Sequence, residues 1–411
     1  MRAHGRLALE WLAVVGIATP FAAPAAPQVP MNPVAQSSNA FGIDLYGQLR
    51  ATPGNLALSP ASISLALAMT WSGAKGDTAA EIQHAVHLSG SPAEALPAWG
   101  QLSTALQSLP ASVVLRIANR LFGEKHYRFE QPFLDQARDA FGAPLEALDF
   151  RGSPQPARGQ INAWIEGQTE GRIRDLIPPA AIDRDTRLVL ANALYFLGDW
   201  RLPFDKAATR PEPFHGTVAR DVPTMHQTSS LPFLQRDGLK GLALPYQSER
   251  LSMLLVLPDA AEGIEALEQS LSAAKLDTLA QGLARQRVVV SLPKFEINPS
   301  DSIALRDALE KLGVVLAFDR RRADFTGIAD PPDPSDRLFV SGVFHKAFVR
   351  VDEKGTEAAA ATGVAMARTV GLSPAEPVEF KADHPFLFFL RDETSGLVLF
   401  MGRVSDPSAR P

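Results

Sequence analysis

The side chains that could carry catalysis are sparse in this sequence of 411 residues. There is no cysteine, which excludes thiolate nucleophiles, disulfides and zinc–thiolate sites. No G-x-S-x-G segment marks a hydrolase nucleophile, and residues 73–76 lack the spacing and the Lys-Ser/Thr pair of a phosphate-binding loop. His84 and His87 could share a metal ion on a helix, but no third ligand is evident. We therefore expect neither an enzyme nor a metal or cofactor site.

His345 is the histidine in the most informative setting. It falls within a strand predicted over Leu338–Val351, where two-residue alternation puts it on the same face as Val343, Ala347 and Val349. A histidine on an apolar face needs hydrogen-bond partners there. We therefore interpret His345 as a structural residue in preference to a catalytic one.

The segment Val351–Arg368 contains a run of small side chains. It reads V-D-E-K-G-T-E-A-A-A-A-T-G-V-A-M-A-R. Composition favours an alanine helix over Thr356–Ala361, with Thr356 as its N-cap. The other interpretation is a segment small enough to enter a tight space elsewhere in the fold. Both interpretations stay open on this segment alone.

The elements that must position these residues change in type along the chain. Helices dominate early and strands dominate late, which predicts an α+β fold with large antiparallel or mixed sheets. Ser59–Pro60 is a favourable helix start, and Asn162–Leu176 is predicted as another helix. Further strand candidates are Leu188–Phe196, Leu251–Leu257, Val288–Leu292 and Phe386–Val404, the last folding back at a hairpin over Glu393–Gly396.

Composition and charge exclude several classes of protein. The 46% hydrophobic and 21% charged residues are typical of a globular chain with a substantial core. A net charge of -5 favours neither a nucleic-acid surface nor a polyanion site. The apolar Leu7–Ile17, with Arg6 before it and Ala-rich residues 20–27 after it, predicts a signal peptide over residues 1–26. The protein would then be secreted or periplasmic, or cytoplasmic if translation starts at Met31. No later stretch is long and apolar enough to predict a membrane span.

Several segments match one protein family in order and spacing. They are Asn55–Ser62, Ala191–Trp200, Leu292–Ile297, Ala323–Gly327, His345–Ala347, Val351–Ala358 and Asp383–Phe388. On these residues the chain resembles the serpin family over residues 36–406. The resemblance implies a single domain with three β-sheets, about nine helices and an exposed reactive-centre loop. The Ala-, Arg- and Pro-rich usage and the lack of cysteine would suit a bacterial source.

The resemblance also implies a mechanism of inhibition. A serine protease cleaves the reactive-centre loop of a serpin and becomes acyl-linked to it, and the loop then inserts into the main sheet as a new strand. In such a strand Thr356, Ala358, Ala360 and Thr362 would face the core, and all four are small. Gly355 would give the hinge backbone freedom. These features favour an inhibitory serpin; the alternative is a non-inhibitory serpin that acts as a binding or chaperone-like module.

By position, the resemblance assigns three sets of residues around the inserting loop. The hinge comprises Glu353, Gly355, Thr356, Glu357, Ala358, Ala359, Ala360, Ala361 and Thr362. A polar cluster beneath the sheet opening comprises Ser59, Ser62, Asn192 and His345. The region where the loop first enters comprises Trp200, Lys294 and Glu353, and an ion pair between Glu353 and Lys294 is a hypothesis for gating that entry.

The reactive bond has two main candidate positions, and Met366 is a further option. Counting the usual hinge length from Gly355 places it between Thr369 and Val370, which suits an elastase- or subtilisin-like protease. The bond between Arg368 and Thr369 would suit a trypsin-like pocket with a buried acid. The count favours Thr369–Val370. The predicted partner is therefore a serine protease, bound by a monomeric inhibitor that uses no cofactor.

Overall fold

The computed structural model describes residues 32–107, 113–216, 219–248, 250–356 and 376–409. All of them belong to one compact unit, Met31–Pro411. The predicted reactive-centre loop lies outside the described residues. So do the hinge residues from Glu357 to Thr362 and the candidate reactive bonds at Arg368, Thr369 and Val370.

Nine α-helices lie within the described residues. They are α1 (Pro33–Leu49), α2 (Pro60–Ser72), α3 (Gly76–Ala85), α4 (Pro92–Gln107), α5 (Gln131–Phe141), α6 (Pro154–Gln168), α7 (Ile264–Gln269), α8 (Ala273–Gln281) and α9 (Arg306–Lys311). Short 3-10 turns occur at Lys206–Ala208, Leu316–Phe318 and Pro334–Asp336.

The strands in the described part of the chain form three sheets. A six-stranded sheet contains β2 (Val113–Glu124), β3 (Leu145–Leu148), β4 (Leu188–Asp199), β10 (Phe295–Ile297), β13 (Val349–Val351) and β14 (Gly355–Thr356), in the order β10-β13-β14-β4-β2-β3. A nine-stranded sheet contains β1 (Leu56–Leu58), β5 (Arg210–His215), β6 (Ala219–Arg236), β7 (Leu239–Pro245), β8 (Leu251–Pro258), β9 (Ala284–Pro293), β15 (Val378–Lys381), β16 (Phe386–Asp392) and β17 (Val398–Val404). The third sheet pairs β11 (Ile303–Ala304) with β12 (Phe344–His345). The predicted α+β fold, with three sheets and about nine helices, is confirmed.

Helix α2 is the buried helix beneath the six-stranded sheet. Ser59 caps its N-terminus by accepting a hydrogen bond from the Ser62 backbone N–H at 3.2 Å, and Pro60 occupies the first turn. Nearly all of its residues are buried, because a helix that is apolar all round can only be stable inside a core. The helix start predicted at Ser59–Pro60 is confirmed.

The opposite face of the six-stranded sheet is covered by α6. Ile161 and Ile165 of this helix form a second core with Phe122 of β2 and Ala193 of β4. Strands β2 and β4 hold this face together by a long antiparallel ladder that runs from the pair Val113–Gly198 to the pair Gly123–Leu188. The sheet is therefore buried on both faces.

The helix predicted over Asn162–Leu176 is wrong at both ends, since α6 begins at Pro154 and ends at Gln168. The early C-terminal end follows from a side-chain contact that sequence periodicity does not report. The Asn162 amide bonds the backbone of Ile177 twice, at 3.0 Å to its carbonyl and at 2.9 Å from its N–H. These bonds fold the chain after α6 back along the helix.

The strand predicted over Leu338–Val351 is also wrong, because it is not continuous. Only Phe344–His345 and Val349–Val351 are strands, and they pair with β11 and β10 respectively. Between them Lys346 is buried, and its ammonium donates to two backbone carbonyls at 3.0 and 2.8 Å. The predicted alternation nevertheless holds for His345, Ala347 and Val349, all of which are buried.

Candidate functional site

Strand β4 has one fully paired edge and one largely open edge. Residues 188–198 pair with β2 on the first edge. On the second edge Gly198 and Asp199 pair with β14, and no strand within the described residues pairs with residues 188–197 there. We call the space between β4 and the segment Arg337–Val351 the gap. Its upper end lies at Gly198 and its lower end at Leu188.

A cavity of about 180 Å³ lies in the lower part of the gap. Leu188, Leu190 and Asn192 line it from β4, and residues 338–345 line it from the opposite wall. Side chains of α2 border it on one face of the sheet, and Ile177 borders it on the other. The two walls are therefore not packed against each other below β14.

The first hinge residues already occupy the upper end of the gap. Gly355 and Thr356 form β14, which pairs with Gly198 and Asp199 on one side and with Val351 on the other. A Cβ atom at Gly355 would overlap the carbonyl oxygen of Gly198, so this position requires glycine because of close backbone approach. The sequence analysis assigned Gly355 a role in backbone freedom, whereas the structure shows that a larger residue would not fit at this position.

Thr356 is a buried residue of strand β14. Its side chain is 4% exposed, and its hydroxyl lies 2.7 Å from the Tyr246 hydroxyl. Tyr246 stacks on Trp200 with ring centroids 4.5 Å apart, and the Trp200 indole N–H donates to the carbonyl of Asp352 at 3.0 Å. The remaining residues of the predicted alanine helix, 357–361, lie outside the described residues, so that interpretation stays a prediction. Trp200, predicted at the loop-entry region, lies directly beside the hinge.

Glu353 and Lys294 form an ion pair next to β14. The Lys294 ammonium lies 2.8 and 3.1 Å from the two carboxylate oxygens of Glu353, and the Thr209 hydroxyl donates to the same carboxylate at 2.9 Å. Burial alone would raise the pKa of Glu353, but hydrogen bonds from Lys294, its own backbone N–H and Thr209 outweigh it. The pKa of Glu353 is therefore lowered, and its carboxylate is charged at neutral pH.

The predicted polar cluster of Ser59, Ser62, Asn192 and His345 lies at the middle of the gap. The Ser59 backbone N–H donates to His345 Nε2 at 3.1 Å, and its hydroxyl donates to the carbonyl of Leu399 at 2.7 Å. The Ser62 hydroxyl bonds the Asn192 side chain. The cluster therefore ties α2 to both walls of the gap.

His345 acts as a neutral acceptor within this cluster. Because Nε2 accepts the Ser59 N–H, the ring proton is assigned to Nδ1. Burial lowers the pKa of His345 to about 4, since a charged imidazolium would lose its hydration there. The prediction that His345 is structural agrees with this geometry, in which no nucleophile or acid is poised against the ring.

Three residues of the site carry no sequence signal that would have revealed them. The Asn119 side chain bonds Asn192 from the neighbouring strand and also donates to the carbonyl of Phe141 at 2.9 Å. Tyr246 and Thr209 contact hinge residues more than 100 positions later in the chain. Their roles depend on long-range pairing of strands, which local periodicity does not specify.

The described residues offer neither a metal site nor a membrane span. No group of three or more His, Asp or Glu side chains among them could hold a metal ion. No helix in the described ranges is long and apolar enough to cross a bilayer.

The chain is similar to known proteins over most of its length. The family model for serpins, described as serine protease inhibitors, matches residues 36–407. An uncharacterised serpin-like protein of Thermococcus kodakarensis is 38% identical over 91% of this chain and 86% of its own length. Human leukocyte elastase inhibitor is 39% identical over 92% of this chain and 100% of its own length.

A solved structure gives the same result for the fold. The crystal structure of a highly specific serpin from the insect Tenebrio molitor matches with a TM-score of 0.79 and 33% identity, over 91% of this chain and 98% of the insect chain. The family-model match extends across the gap, the predicted hinge and the polar cluster. The chain belongs to the serpin family.

Proposed function

We propose that this protein inhibits a serine protease as a suicide substrate. The protease serine would attack a loop carbonyl near Arg368, Thr369 or Val370, and the peptide C–N bond would break with a proton passing to the new amino terminus. The carbonyl carbon would stay esterified to the serine. Insertion of the hinge into the gap would then compete with attack by water on that ester.

The observation that carries this proposal is the open edge of β4. Its backbone groups from 188 to 197 face a gap in which no described strand pairs with them, while Gly355 and Thr356 already pair at its upper end. An unpaired strand edge is a template for one more strand. The hinge is the segment covalently placed to supply it.

The observed pairs also support an assignment of the hinge residues that would face the core. Thr356 opposes Gly198 with its hydroxyl bonded to Tyr246, which belongs to the same hydrophobic core as the buried side chains of α2. Alternation puts Ala358, Ala360 and Thr362 on the same side as Thr356. Continuing the pairing one residue at a time brings Thr362 opposite Asn192, beside the polar cluster. After Thr356, the inward side chains would thus be alanines above the polar cluster, and a threonine hydroxyl would lie beside the cluster.

Insertion along this edge is favoured by backbone pairing. Each new hydrogen bond would contribute roughly 1 kcal/mol net. About a dozen residues would therefore contribute on the order of 10 kcal/mol. The small hinge side chains let this strand form without burying a charge.

Relatives support an elastase-like target for the Thr369–Val370 bond, since human leukocyte elastase inhibitor is among the proteins this chain resembles. Arg368 leaves a trypsin-like target as the competing choice. We propose the Thr369–Val370 bond, with an inhibitor that acts as a monomer.

The test is to mix the protein with trypsin, elastase and subtilisin separately. We expect an SDS-stable complex with at least one of them, release of a C-terminal peptide that begins at Val370 or Thr369, and a higher melting temperature of the cleaved product. Digestion of the loop with no complex and no gain in stability would support the non-inhibitory alternative. Light scattering of the free protein tests the monomer.

We also propose that residues 1–26 are removed on export to the periplasm or the medium. N-terminal sequencing of protein recovered from those fractions tests this. A chain that starts at Met31 and stays in the cytoplasm would contradict it. The bacterial origin remains a prediction from residue usage.

A further inference from the structure

The lower end of the gap is closed by a cluster of charges around Asp336. This residue ends the turn Pro334–Asp336, just before the wall that starts at Arg337. Its carboxylate accepts hydrogen bonds from Arg187 Nε at 2.9 Å and from Arg151 Nη2 at 2.9 Å. Arg187 Nη2 lies 2.8 Å from the same carboxylate. We call Asp336, Arg187 and Arg151 the lower latch.

The partners of Asp336 are held in place by the strands on one side of the gap. The Glu124 backbone N–H donates to the Arg187 backbone carbonyl at 2.8 Å. The buried Glu124 carboxylate accepts a hydrogen bond from the Arg151 backbone N–H at 3.0 Å. The Tyr127 hydroxyl donates to the Asp336 carbonyl at 2.6 Å. Burial and then the charge of Asp336 raise the pKa of Tyr127 to about 12, so it keeps the proton it donates. The two arginines therefore meet Asp336 in a fixed geometry.

The lower latch crosses the gap. Arg187 directly precedes β4, and Arg151 follows β3, so both belong to the block formed by β2, β3 and β4. Asp336 belongs to the opposite wall, because the residues that follow it line the far side of the cavity. A strand that enters at this level needs about 4.8 Å on each side, so the two walls would have to lie roughly 9.6 Å apart. The contacts of Asp336 would have to break or rearrange.

The register of β14 indicates which residue of an inserted strand would lie opposite the lower latch. Extending the observed pairs Gly355–Asp199 and Thr356–Gly198 places Ala367 opposite Arg187. Only the final residues before the reactive bond would therefore meet the lower latch. The upper and middle parts of the gap could fill while Asp336 stays paired.

We propose that Asp336 is a positioning residue that holds the lower end of the gap closed and sets the rate of the final stage of insertion. This rests on the proposed function, because it assumes that the gap accepts a strand. The role needs no contact between Asp336 and the protease, and it leaves the chemistry of loop cleavage unchanged.

The test uses synthetic peptides of two lengths copied from the hinge. A short peptide covering residues 358–364 would end above the level of Arg187, and a long peptide covering residues 358–368 would pass it. Incorporation of each into the full chain is followed over time by native gel mobility and by the gain in melting temperature. The variants are Asp336→Asn, Asp336→Glu and Glu146→Gln.

Glu146→Gln is the matched control, because Glu146 pairs with Arg120 at similar partial exposure but joins β2 to β3 on one side of the gap. We expect Asp336→Asn to speed incorporation of the long peptide about threefold to tenfold and to leave the short peptide unchanged. Asp336→Glu should restore the slow rate in part. Glu146→Gln should behave as wild type with both peptides.

The outcomes separate the two proposals. Faster uptake of both peptides by Asp336→Asn would mean a general loss of stability and would overturn the latch. Equal long-peptide rates in wild type and Asp336→Asn would overturn it as well. If wild type incorporates neither peptide and forms no protease complex, the proposed function itself fails.

Discussion

The two ends of the gap are closed by different kinds of interaction. At the upper end the Glu353 side chain is 6% exposed, and Lys294 and Thr209 bind its carboxylate. At the lower end the Asp336 side chain is 29% exposed between Arg187 and Arg151. Among the described residues, the upper contacts include predicted hinge residues, whereas the lower contacts include none. Movement of the hinge therefore disturbs the upper end directly and reaches the lower end only through a long inserted strand.

Because of this difference, we expect the upper end to affect mainly the stability of the sheet and the lower end to affect mainly the rate of insertion. A buried carboxylate that loses its partner keeps the cost of desolvation, so damage to the upper end destabilises the whole sheet. A half-exposed carboxylate is rehydrated when its partner leaves, so damage to the lower end costs less. We expect upper substitutions to change what the loop can do and lower substitutions to change how fast insertion finishes.

The largest effect is expected for Thr356→Arg at the upper end. Thr356 is 4% exposed, so an arginine there must either bury an unpaired charge, at a cost of several kcal/mol, or leave the gap. Attack by water on the ester would then outrun insertion, and the number of inhibitor molecules consumed per trapped protease should rise more than about tenfold. Titration of the protease that forms the complex measures this number.

Glu379→Arg is the control, because it places the same charge on an exposed residue of β15, beyond the other end of the loop. It should inhibit like wild type. Unchanged stoichiometry in Thr356→Arg would show that the hinge does not need to enter the upper end, and the comparison of the two ends would lose its basis.

The upper end was largely predictable from the sequence, and the lower end was not. Trp200, Lys294 and Glu353 lie in segments whose order and spacing match the family, and the structure brings all three together. Asp336 and Arg187 lie in stretches without a family motif, 149 positions apart. Their contact follows from how a short turn docks on three paired strands, and no local pattern encodes that.

The fold shows the same division between local and long-range information. Capping chemistry at Ser59 and the apolar runs of β4 and β8 gave correct elements, because local side chains alone determine them. The end of α6 and the break at Lys346 were missed, since side chains bonding distant backbone carbonyls decide both.

The next largest effect concerns His345 at the middle of the gap. Its pKa is about 4 in the folded protein, against an ordinary value of about 6.5 when unfolded. Well above pH 6.5 the ring is neutral in both states and the full stability is present. As the pH falls toward 4 the unfolded state takes up a proton that the folded state refuses, and about 3 kcal/mol is lost.

The measurement compares urea midpoints at pH 7 and pH 4.5 for wild type and for His345→Gln, which removes the titrating group while keeping an acceptor for Ser59. The variant should lose less stability on acidification than wild type. His84→Gln, at an exposed position on α3, is the control and should retain the wild-type slope. Parallel slopes in wild type and His345→Gln would contradict this role.

A smaller effect is expected for Glu353→Lys, which turns the upper ion pair into a repulsion. Breaking a largely buried pair should cost about 2 kcal/mol, lower the melting temperature and promote polymers on mild heating. Glu296→Lys is the matched control on the adjacent strand, because Glu296 pairs with Arg350 at 3.8 Å in an exposed position. A Glu353→Lys protein with wild-type melting and polymerisation would sink the gating hypothesis for this pair.

The smallest expected effect is the coupling between the two ends. Strand β4 has 12 residues and separates them by about 35 Å, at roughly 3.3 Å per residue. Substitutions that far apart with no shared partner should add within about 0.5 kcal/mol, so the urea stability of Glu353→Gln with Asp336→Asn should equal the sum of the single effects. A coupling above about 1 kcal/mol would mean that the wall Arg337–Val351 moves as one rigid piece. The break at Lys346, which divides that wall into two short strands with different partners, is the physical reason to expect independence.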